Sequence, residues 1–430
     1  MAITSSPGLL LLASVATAGR VYHLTDINVD PIYVVNSSTA AYCNGPVIKN
    51  ASLQAPIFGA PVGDCATPEA LYDSVLAFMA DQPAADMVLF TGDFTQAGLR
   101  SEGPGADSVL DTIAATHEKL RAALPGVKIY GAVGNHDSYP GDVFDFPYEA
   151  GYGHFAALWD VQGDAKNATL RGGYFSQRHD DALVVISLNT LYLATLNPLV
   201  KDNSSAAHRA GFDMMAWFGG ELAAAEQRGD VVYVLGHIPG ESWLPAHSLT
   251  YQRLMQRYAA TVKGQFYGHD HEDYVRLTRE CGDATCTGSA TGVVFVGPSL
   301  TEGWPSENPA LRVYVTDGNY TVEDALTYTA DILEANEKGA ATWVLEYSAK
   351  DRLRLDDLSP RSWEKYVALQ LATNESAFDD HVALRRRGYR GPRSRSSGDR
   401  CEALTDPCAV DLLCKSNFFN DADYAFCVKN

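Results

Sequence analysis

Hydrophobic and polar positions form two alternating kinds of segment from Val21 to about Val315. Short apolar runs rich in β-branched residues predict strands, and the amphipathic stretches between them predict helices. The predicted strands cover residues 21–25, 87–91, 127–133, 183–188, 231–235, 265–267, 293–296 and 311–315. The predicted helices cover residues 68–80, 106–124, 212–227 and 249–260. This alternation predicts an α/β fold with helices on the faces of its sheets.

The pattern changes after about Thr316, where a helical, cysteine-containing tail is predicted with a strand at 343–347 and a helix at 359–371. Residues 385–400 carry seven arginines among Gly, Pro and Ser. A run of charge usually lies in water, so a solvated loop is expected. Contact with anionic lipid headgroups or phosphates is the alternative, and it would make the protein a peripheral membrane protein.

The N-terminus resembles a secretory signal. A short apolar run at residues 9–12 ends near Ala16-Thr17-Ala18, a small-x-small pattern, although no Lys or Arg precedes it. We therefore expect a signal peptide at 1–18, with an unstructured N-terminus as the alternative. Six Asn-x-Ser/Thr sequons, more than chance predicts, favour a glycosylated, secreted protein. They stand at Asn36, Asn50, Asn167, Asn203, Asn319 and Asn374.

The cysteines indicate an oxidising compartment. Their number is even, and they are locally spaced as Cys43 and Cys65, Cys281 and Cys286, Cys401 and Cys408, and Cys414 and Cys427. Free or metal-binding thiols are the alternative, but there is no Cys-x-x-Cys motif to favour them. We expect four disulfides.

Charge and composition narrow the possible partners. The 430 residues include 33 Lys and Arg against 53 Asp and Glu, a net charge of −20, and 46% hydrophobic residues. Such a chain can bury a large core, and its carboxylates repel polyanions, so no nucleic-acid polymer is expected as a partner. No later segment approaches the roughly 20 apolar residues needed to cross a bilayer. A monomer without a transmembrane segment is expected.

Polar side chains follow five of the predicted strands at the point where each ends. They are Asp26, Asp93, Asn135, His237 and His269. Because loops at the carboxyl ends of strands converge on the ligand crevice of open α/β sheets, these five loops are candidates for a single site.

The motifs around these residues predict a metal centre. They read Gly92-Asp93, Gly134-Asn135-His136-Asp137, Gly236-His237 and Gly268-His269-Asp270-His271. Asp, Asn and His are ligands for zinc, manganese or iron, and the glycines allow sharp turns beneath an ion. His269 and His271 would address two adjacent metals if the segment is extended. A two-metal phosphoesterase follows as the hypothesis, in which Asp93 bridges the ions, a bridging hydroxide attacks phosphorus, and His136 protonates the departing oxygen.

Several longer stretches resemble the calcineurin-like metallophosphoesterases, and more closely the acid sphingomyelinase-like phosphodiesterases. They are Asp26-Ile27-Asn28-Val29-Asp30-Pro31, Thr91-Gly92-Asp93, Gly134-Asn135-His136-Asp137, Arg171-Gly172-Gly173-Tyr174-Phe175-Ser176, Ile186-Ser187-Leu188-Asn189-Thr190 and Gly264-Gln265-Phe266-Tyr267-Gly268-His269-Asp270-His271. The C-terminal cysteines also resemble the paired disulfides of that family.

The resemblance implies a sandwich of two mixed β-sheets flanked by helices over residues 19–316. It also implies a small, mainly helical, disulfide-containing C-terminal domain over 317–430. It further implies two divalent ions, expected to be Zn²⁺, and His136 as the general acid. The implied ligands of the first ion are Asp26, Asp93 and His271, and those of the second are Asp93, Asn135, His237 and His269.

Two positions depart from the family. Asn28 stands where the family has a histidine ligand of the first metal, and an amide oxygen binds zinc more weakly. Ala97 stands where the family has a second active-site histidine. The first site is therefore expected to be weak. The alternative function is a catalytically weakened binding protein that keeps the fold.

The expected function is a secreted or lysosomal phosphodiester hydrolase. Its substrate would be a sphingomyelin-like phospholipid or a soluble nucleotide or other phosphodiester. The soluble substrates are considered because the resemblance implies an N-terminal saposin domain in sphingomyelinases that extract lipid, whereas only about twenty residues precede Val21 here. A phosphomonoesterase of the same superfamily is the weaker alternative.

Overall fold

A computed structural model describes residues 19–50, 52, 54–61, 63, 65–95, 106–301, 306–391 and 404–429. The expected signal peptide at 1–18, Ala97, Cys401 and residues 392–400 of the arginine-rich stretch lie outside the described residues. Among the described residues, no helix combines the length and apolar character that crossing a bilayer requires.

The described residues form two sheets. The strands are β1 (Gly19–Leu24), β2 (Met87–Phe90), β3 (Lys128–Gly131), β4 (Phe175–Arg178), β5 (Leu183–Ser187), β6 (Val231–Leu235), β7 (Val262–Tyr267), β8 (Tyr274–Arg279), β9 (Ala290–Val296), β10 (Ala310–Thr316), β11 (Val322–Ala330) and β12 (Trp343–Ser348). The first sheet has the order β12-β11-β10-β1-β2-β3, and the second has the order β4-β5-β6-β7-β9-β8.

Both sheets are mixed, as expected. In the first, β1, β2 and β3 run parallel, while β10, β11 and β12 join the other side of β1 antiparallel to their neighbours. In the second, β5, β6, β7 and β9 run parallel between the antiparallel edge strands β4 and β8. The parallel strands β2, β5 and β6 consist almost entirely of apolar residues, as expected of strands whose two faces are both covered.

Helices surround the two sheets. They are α1 (Glu69–Asp81), α2 (Ala106–Ala123), α3 (Glu149–Leu158), α4 (Gly163–Gly172), α5 (Ala206–Arg228), α6 (Pro245–Arg257), α7 (Ile332–Lys338), α8 (Ala349–Arg352), α9 (Pro360–Lys365), α10 (Glu375–Arg385), α11 (Pro407–Asn417) and α12 (Asp421–Lys429). A π-helical segment, Tyr366–Leu371, continues α9. One large apolar cluster connects the strands with most of these helices, from Val21 to Phe419.

The eight strands predicted up to residue 315 are all present, with ends shifted by a few residues. Three strands escaped prediction: β4, β8 and β11. β4 contains the polar Ser176, Gln177 and Arg178, and β8 contains Arg276 and Arg279. These side chains hide the hydrophobic signal on which strand prediction depends.

The chain after Thr316 does not at once become helical. β11 pairs with β10, and β12 pairs with β11, so hydrogen bonding in the first sheet continues to Ser348. The division into two domains between residues 316 and 317 stays a prediction. The first sheet extends across that boundary. From α9 onward the described residues form helices, and α11 packs against β8 of the second sheet.

Three predicted disulfides are present, Cys43–Cys65, Cys281–Cys286 and Cys414–Cys427. Cys408 is also disulfide-bonded, and its expected partner Cys401 lies outside the described residues. The expectation of a solvated loop is wrong at Arg385 and Arg387, which are 3% and 0% exposed.

Candidate active site

The predicted site residues lie at the carboxyl ends of strands from both sheets. Asp26, Asp93 and Asn135 follow β1, β2 and β3 of the first sheet. His237 follows β6 of the second sheet, and the segment with His269 and His271 follows β7. Parallel strands that end at the same edge bring their loops together, and here the edges of two sheets meet.

The backbone is left-handed at five of these positions. The φ angles are 49° at Asp26, 43° at Asn28, 60° at Asp93, 74° at His269 and 60° at His271. A non-glycine residue costs about 1–2 kcal/mol in this conformation. Such strain persists only where the surrounding structure enforces it, and it clusters at functional sites.

The first group of candidate ligands is Asp26, Asp93 and His271. One ligand atom from each lies within 4.8 Å of the others. His271 Nε2 lies 3.3 Å from Asp26 Oδ1. Two carboxylates and an imidazole at this spacing form a donor set of the kind that binds a divalent transition metal.

The second group surrounds His237 and shares Asp93 with the first. His237 Nε2 lies 3.3 Å from Asp93 Oδ2 and 2.8 Å from Asn135 Oδ1. His269 Nδ1 lies 3.0 Å from the same Asn135 oxygen. The structure therefore brings all four side chains together around one small volume, with Asp93 between the two groups.

Buried polar atoms without partners indicate that the residues fit a metal. Within the described residues, Asp26 Oδ1 is buried and accepts no hydrogen bond, and both side-chain polar atoms of Asn28 are buried without a hydrogen-bond partner. A buried polar atom left unsatisfied costs about 1–3 kcal/mol. Such atoms next to a carboxylate and imidazole cluster are explained if a bound cation takes their lone pairs.

His136 lies beside this cluster. Its Nε2 is 3.9 Å from Asp93 Oδ2, and its side chain is 13% exposed. Its backbone N–H donates to Asp93 Oδ1 at 2.9 Å, which fixes the position of the residue relative to the shared carboxylate. The ring thus borders the candidate ligands and remains reachable from solvent, as a proton donor must be.

Comparison with known families agrees with this geometry. Residues 19–273 match the calcineurin-like phosphoesterase family. The chain belongs to the calcineurin-like phosphoesterases. Residues 292–389 of this phosphoesterase also match the acid sphingomyelin phosphodiesterase C-terminal region.

Similar proteins extend over nearly the whole chain. Sphingomyelin phosphodiesterase 1 of Caenorhabditis elegans is 30% identical over 427 residues, covering 95% of this chain and 72% of that protein. Sphingomyelin phosphodiesterase of Bos taurus is 31% identical and covers 90% of this chain, which spans 63% of the bovine protein's length. The cyclic GMP-AMP phosphodiesterase of Homo sapiens is 27% identical, covering 96% of this chain and 90% of that protein. The phosphoesterase is thus a member of the acid sphingomyelinase-like phosphodiesterase family, as the motifs implied.

Asn28 is buried at the end of the loop that begins with Asp26. Its backbone N–H donates to the Asp93 carbonyl at 3.0 Å, and its own carbonyl accepts from Thr67 N at 3.1 Å. The backbone is therefore fixed by the two neighbouring loops, while the side-chain amide has no hydrogen-bond partner in the part of the chain that the structure describes. Asn28 as a metal ligand stays a prediction, and so does the consequence of Ala97, which lies outside the described residues.

Asp137 was part of a predicted motif but had no predicted role. Its carboxylate accepts from the backbone N–H groups of Asp93 at 3.0 Å, Phe94 at 2.9 Å and Gly134 at 2.8 Å. These bonds hold the left-handed turn at Asp93. A Cβ at Gly134 would collide with Asp93, which explains the glycine. An acidic residue two positions after a candidate ligand was the only signal in the sequence.

Other residues that sequence reasoning missed orient the ligands. Thr91 places its carbonyl 2.6 Å from His237 Nδ1. Asp142 accepts from Asn135 Nδ2 at 2.8 Å, which turns the amide oxygen of Asn135 toward the histidines. Partners of this kind fix the tautomer and orientation of a metal ligand. Thr91 stands in the Thr91-Gly92-Asp93 stretch without a predicted role, and no predicted motif includes Asp142.

The electrostatics of the site favour a cation. Burial opposes the charged form of Asp93, but the adjacent His136 and His237 rings outweigh it and hold the pKa of Asp93 well below its usual range. Burial would lower the pKa of His237, but Asp93 and Asp26 raise it to about 10. Burial and the Asp93 charge raise the pKa of Asp137 to about 7. The charged carboxylates of Asp93 and Asp26 thus favour a positive charge beside them, which either a protonated histidine or a metal ion supplies.

The six sequon asparagines, Asn36, Asn50, Asn167, Asn203, Asn319 and Asn374, are all exposed. Exposure is what an attached glycan requires. Asn374 also accepts a hydrogen bond from Ala377 N at the start of α10. Glycosylation at these positions stays a prediction.

Proposed function

We propose that this phosphoesterase hydrolyses phosphodiesters with two divalent metal ions, the first held by Asp26, Asn28, Asp93 and His271 and the second by Asp93, Asn135, His237 and His269. The observation that carries the proposal is the pair of ligand groups that share Asp93 at the meeting edges of two sheets. Zn²⁺ is the expected ion because imidazole and carboxylate ligands suit it. Two ions bound there would lower the pKa of a shared water and neutralise charge on the phosphoryl oxygens.

The chain's own residues supply orientation and a proton. Asp93 belongs to both ligand groups. The Asp137 carboxylate holds the turn at Asp93 by accepting three backbone N–H groups. His136 Nε2 faces the same carboxylate at 3.9 Å and carries the proton that the departing oxygen takes up. Attack in line with that oxygen follows if the phosphorus lies between Asp93 and His136.

Two substrate classes are proposed, because relatives at comparable identity carry names of both. The nematode and bovine relatives are named sphingomyelin phosphodiesterases, and the human relative is named a cyclic GMP-AMP phosphodiesterase. Shared metal and proton-donor chemistry serves a phospholipid and a nucleotide equally well. The substrate is therefore decided by residues around the site rather than by the ligands themselves.

The protein is proposed to be a secreted or lysosomal, glycosylated monomer. Its three complete disulfides and a further disulfide-bonded cysteine support an oxidising compartment. The six exposed sequon asparagines support secretion in the same way. The signal peptide at 1–18 completes this proposal.

The second candidate function is a binding protein that has lost catalytic power. Asn28 favours it, since an amide replaces an imidazole at the first ion and binds zinc more weakly. Hydrolysis and metal content separate the two functions. The enzyme is expected to bind two zinc ions per chain, and the binding protein one or none.

The deciding experiment measures zinc per chain together with turnover of bis(p-nitrophenyl) phosphate, sphingomyelin micelles and a cyclic dinucleotide, from acidic to neutral pH. Wild type and Asn28→His are compared. Two ions and turnover of at least one substrate support the enzyme. No turnover of any substrate by the fully loaded wild type refutes it. A large gain for Asn28→His would show that Asn28 limits the reaction.

A further inference from the structure

The loop that carries His269 and His271 is bound to the rest of the protein by buried arginines. Three acidic residues stand between or directly after the two histidines in the sequence, and each pairs with a different arginine. The pairs are Asp270 with Arg276, Glu272 with Arg385, and Asp273 with Arg312. The side chains of Arg276, Arg385 and Arg312 are at most 4% exposed. A buried charge is tolerated only with such partners, so each pair fixes the loop firmly.

A fourth arginine contacts the backbone of a candidate ligand directly. Arg387 is 0% exposed, and its Nη1 donates to the carbonyl of His271. Its Nη2 lies 2.9 Å from a carboxylate oxygen of Glu307 and 3.4 Å from Ser299 Oγ. The backbone N–H of Ser299 donates to the same His271 carbonyl at 3.3 Å. The Ser299 hydroxyl lies 3.3 Å from that carbonyl and 2.8 Å from the Thr301 carbonyl, the shorter of its two possible bonds.

The contacts of Arg387 and Ser299 hold the candidate ligand His271 in a strained backbone conformation. His271 has a φ of 60°, a conformation from which an unrestrained histidine would relax. Rotation of the backbone there would move the Cβ and carry the imidazole away from Asp26, whose Oδ1 now lies 3.3 Å from Nε2. The carbonyl of His271 is the acceptor that Arg387 and Ser299 hold in place.

We propose that Arg387 is a positioning residue for the first metal: it holds the His271 backbone so that the imidazole stays in the ligand group with Asp26 and Asp93. Arg387 is the second residue after α10, so a segment beyond the phosphoesterase match determines the occupancy of a site built by the earlier part of the chain. The inference rests on the proposed function, because it requires that His271 binds a metal. It also assigns a role to an arginine-rich segment that the sequence placed in solvent.

The expected effect is selective. Partners that orient a metal ligand typically contribute 10–100-fold to metal affinity. Loss of Arg387 should weaken the ion that His271 holds by about that factor. The other ion should keep its affinity, because His237 and His269 are held against Asn135 Oδ1 by contacts in which Arg387 takes no part.

The experiment uses the full chain and zinc alone. Zinc affinity is measured by competition with a chelator for wild type, Arg387→Met and the double variant Arg387→Met/Glu307→Met. The double variant removes both members of the buried pair, which is often neutral for stability, and still lacks the bond to His271. His271→Ala identifies which binding constant belongs to the first ion. Arg390→Gln, an exposed arginine of the same segment, is the matched control.

Urea unfolding of the metal-free proteins separates positioning from folding. Arg387→Met alone should lose stability because Glu307 is left buried and unpaired. The double variant should recover stability but not the first zinc constant. Arg387→Lys keeps the charge without the guanidinium fork, and should recover only part of that affinity.

The inference is overturned if the stable double variant binds both zinc ions as wild type does. It is also overturned if both constants fall equally, since that result would show a general effect on the fold. A wild-type protein that binds no zinc would instead refute the proposed function, so the two failures are distinguishable.

Discussion

His381 is predicted to make the protein sensitive to acid. It lies on α10 and is 8% exposed. Its Nε2 is buried and has no hydrogen-bond partner among the described residues, and its side chain borders a cavity of about 20 Å³ with Trp363, Tyr366 and Ser416. Burial, helped by the charge of Arg385, lowers the pKa of His381 from 6.5 to about 3. The folded protein therefore keeps this ring neutral where an unfolded chain would protonate it.

The sign and size of the effect follow from that shift. Because the folded pKa is below the unfolded one, the contribution of His381 to stability is complete above the unfolded value of 6.5 and is lost as the pH falls toward about 3. Each pH unit below the unfolded pKa costs about 1.4 kcal/mol. A fall from about pH 7 to about pH 5 should therefore remove about 2 kcal/mol through this residue alone.

The measurement is the free energy of unfolding in urea at both pH values for wild type and His381→Leu. Subtracting the two pH dependences cancels the other titrating groups, and the difference should be about 2 kcal/mol, with the variant less sensitive to acid. His154→Leu is the matched control, since His154 is exposed on α3. It should follow the wild-type pH dependence.

Equal pH dependence in wild type and His381→Leu would refute the reasoning. It would mean that His381 is protonated in the folded protein, or that the α10 region opens before the rest of the chain unfolds. A control variant that shifted as much as His381→Leu would refute it as well.

The remaining predictions concern the site and the surface. Replacing His136 by Gln should lower kcat about 10²–10⁴-fold with zinc content unchanged, and unchanged turnover would remove its assigned role. Replacing Asp137 by Asn sets an amide against three backbone N–H groups and should lower the free energy of unfolding in urea by about 2–3 kcal/mol; an unaltered urea midpoint would contradict its role. Removing divalent ions with a chelator should lower the thermal midpoint and adding zinc should restore it, whereas identical midpoints would argue against bound metal. Treating the protein secreted from eukaryotic cells with an N-glycosidase should increase its electrophoretic mobility, and no change would argue against glycans.

The parts of the fold that the sequence could predict are those governed by local patterns. The parallel strands contain apolar runs, and polar residues stand where these runs end, so the elements and the convergence of Asp26, Asp93 and His237 could be predicted from the sequence pattern. β8 could not be predicted, because two of its six residues are arginines whose partners come from elsewhere in the chain. Arg279, for example, pairs with Glu364 far along the sequence.

The roles of the residues that hold the candidate ligands could not be predicted either, because their partners also come from elsewhere in the chain. A run of arginines is typical of solvent-exposed segments, whereas partners distant in sequence, among them Glu272, Glu307 and the His271 carbonyl, make burial of Arg385 and Arg387 favourable. Asp137 resembles a further metal ligand in the sequence, whereas its oxygens are occupied by backbone N–H groups. Asn28 could be recognised as a departure from the family, but only the folded chain reveals that its side-chain amide has no hydrogen-bond partner among the described residues.

The strand that leads to Asp26 has consequences for synthesis of the chain. β1 lies in the middle of its sheet, between β2 and β10, and Gly19 pairs with Thr316. A chain emerging from the ribosome can pair β1 with β2 and β3 early, but one edge of β1 stays open until β10 has been made. β11 and β12 complete the sheet later still. An open apolar edge invites incorrect pairing, so the nascent chain should depend on chaperones until the residues beyond Ser348 have emerged.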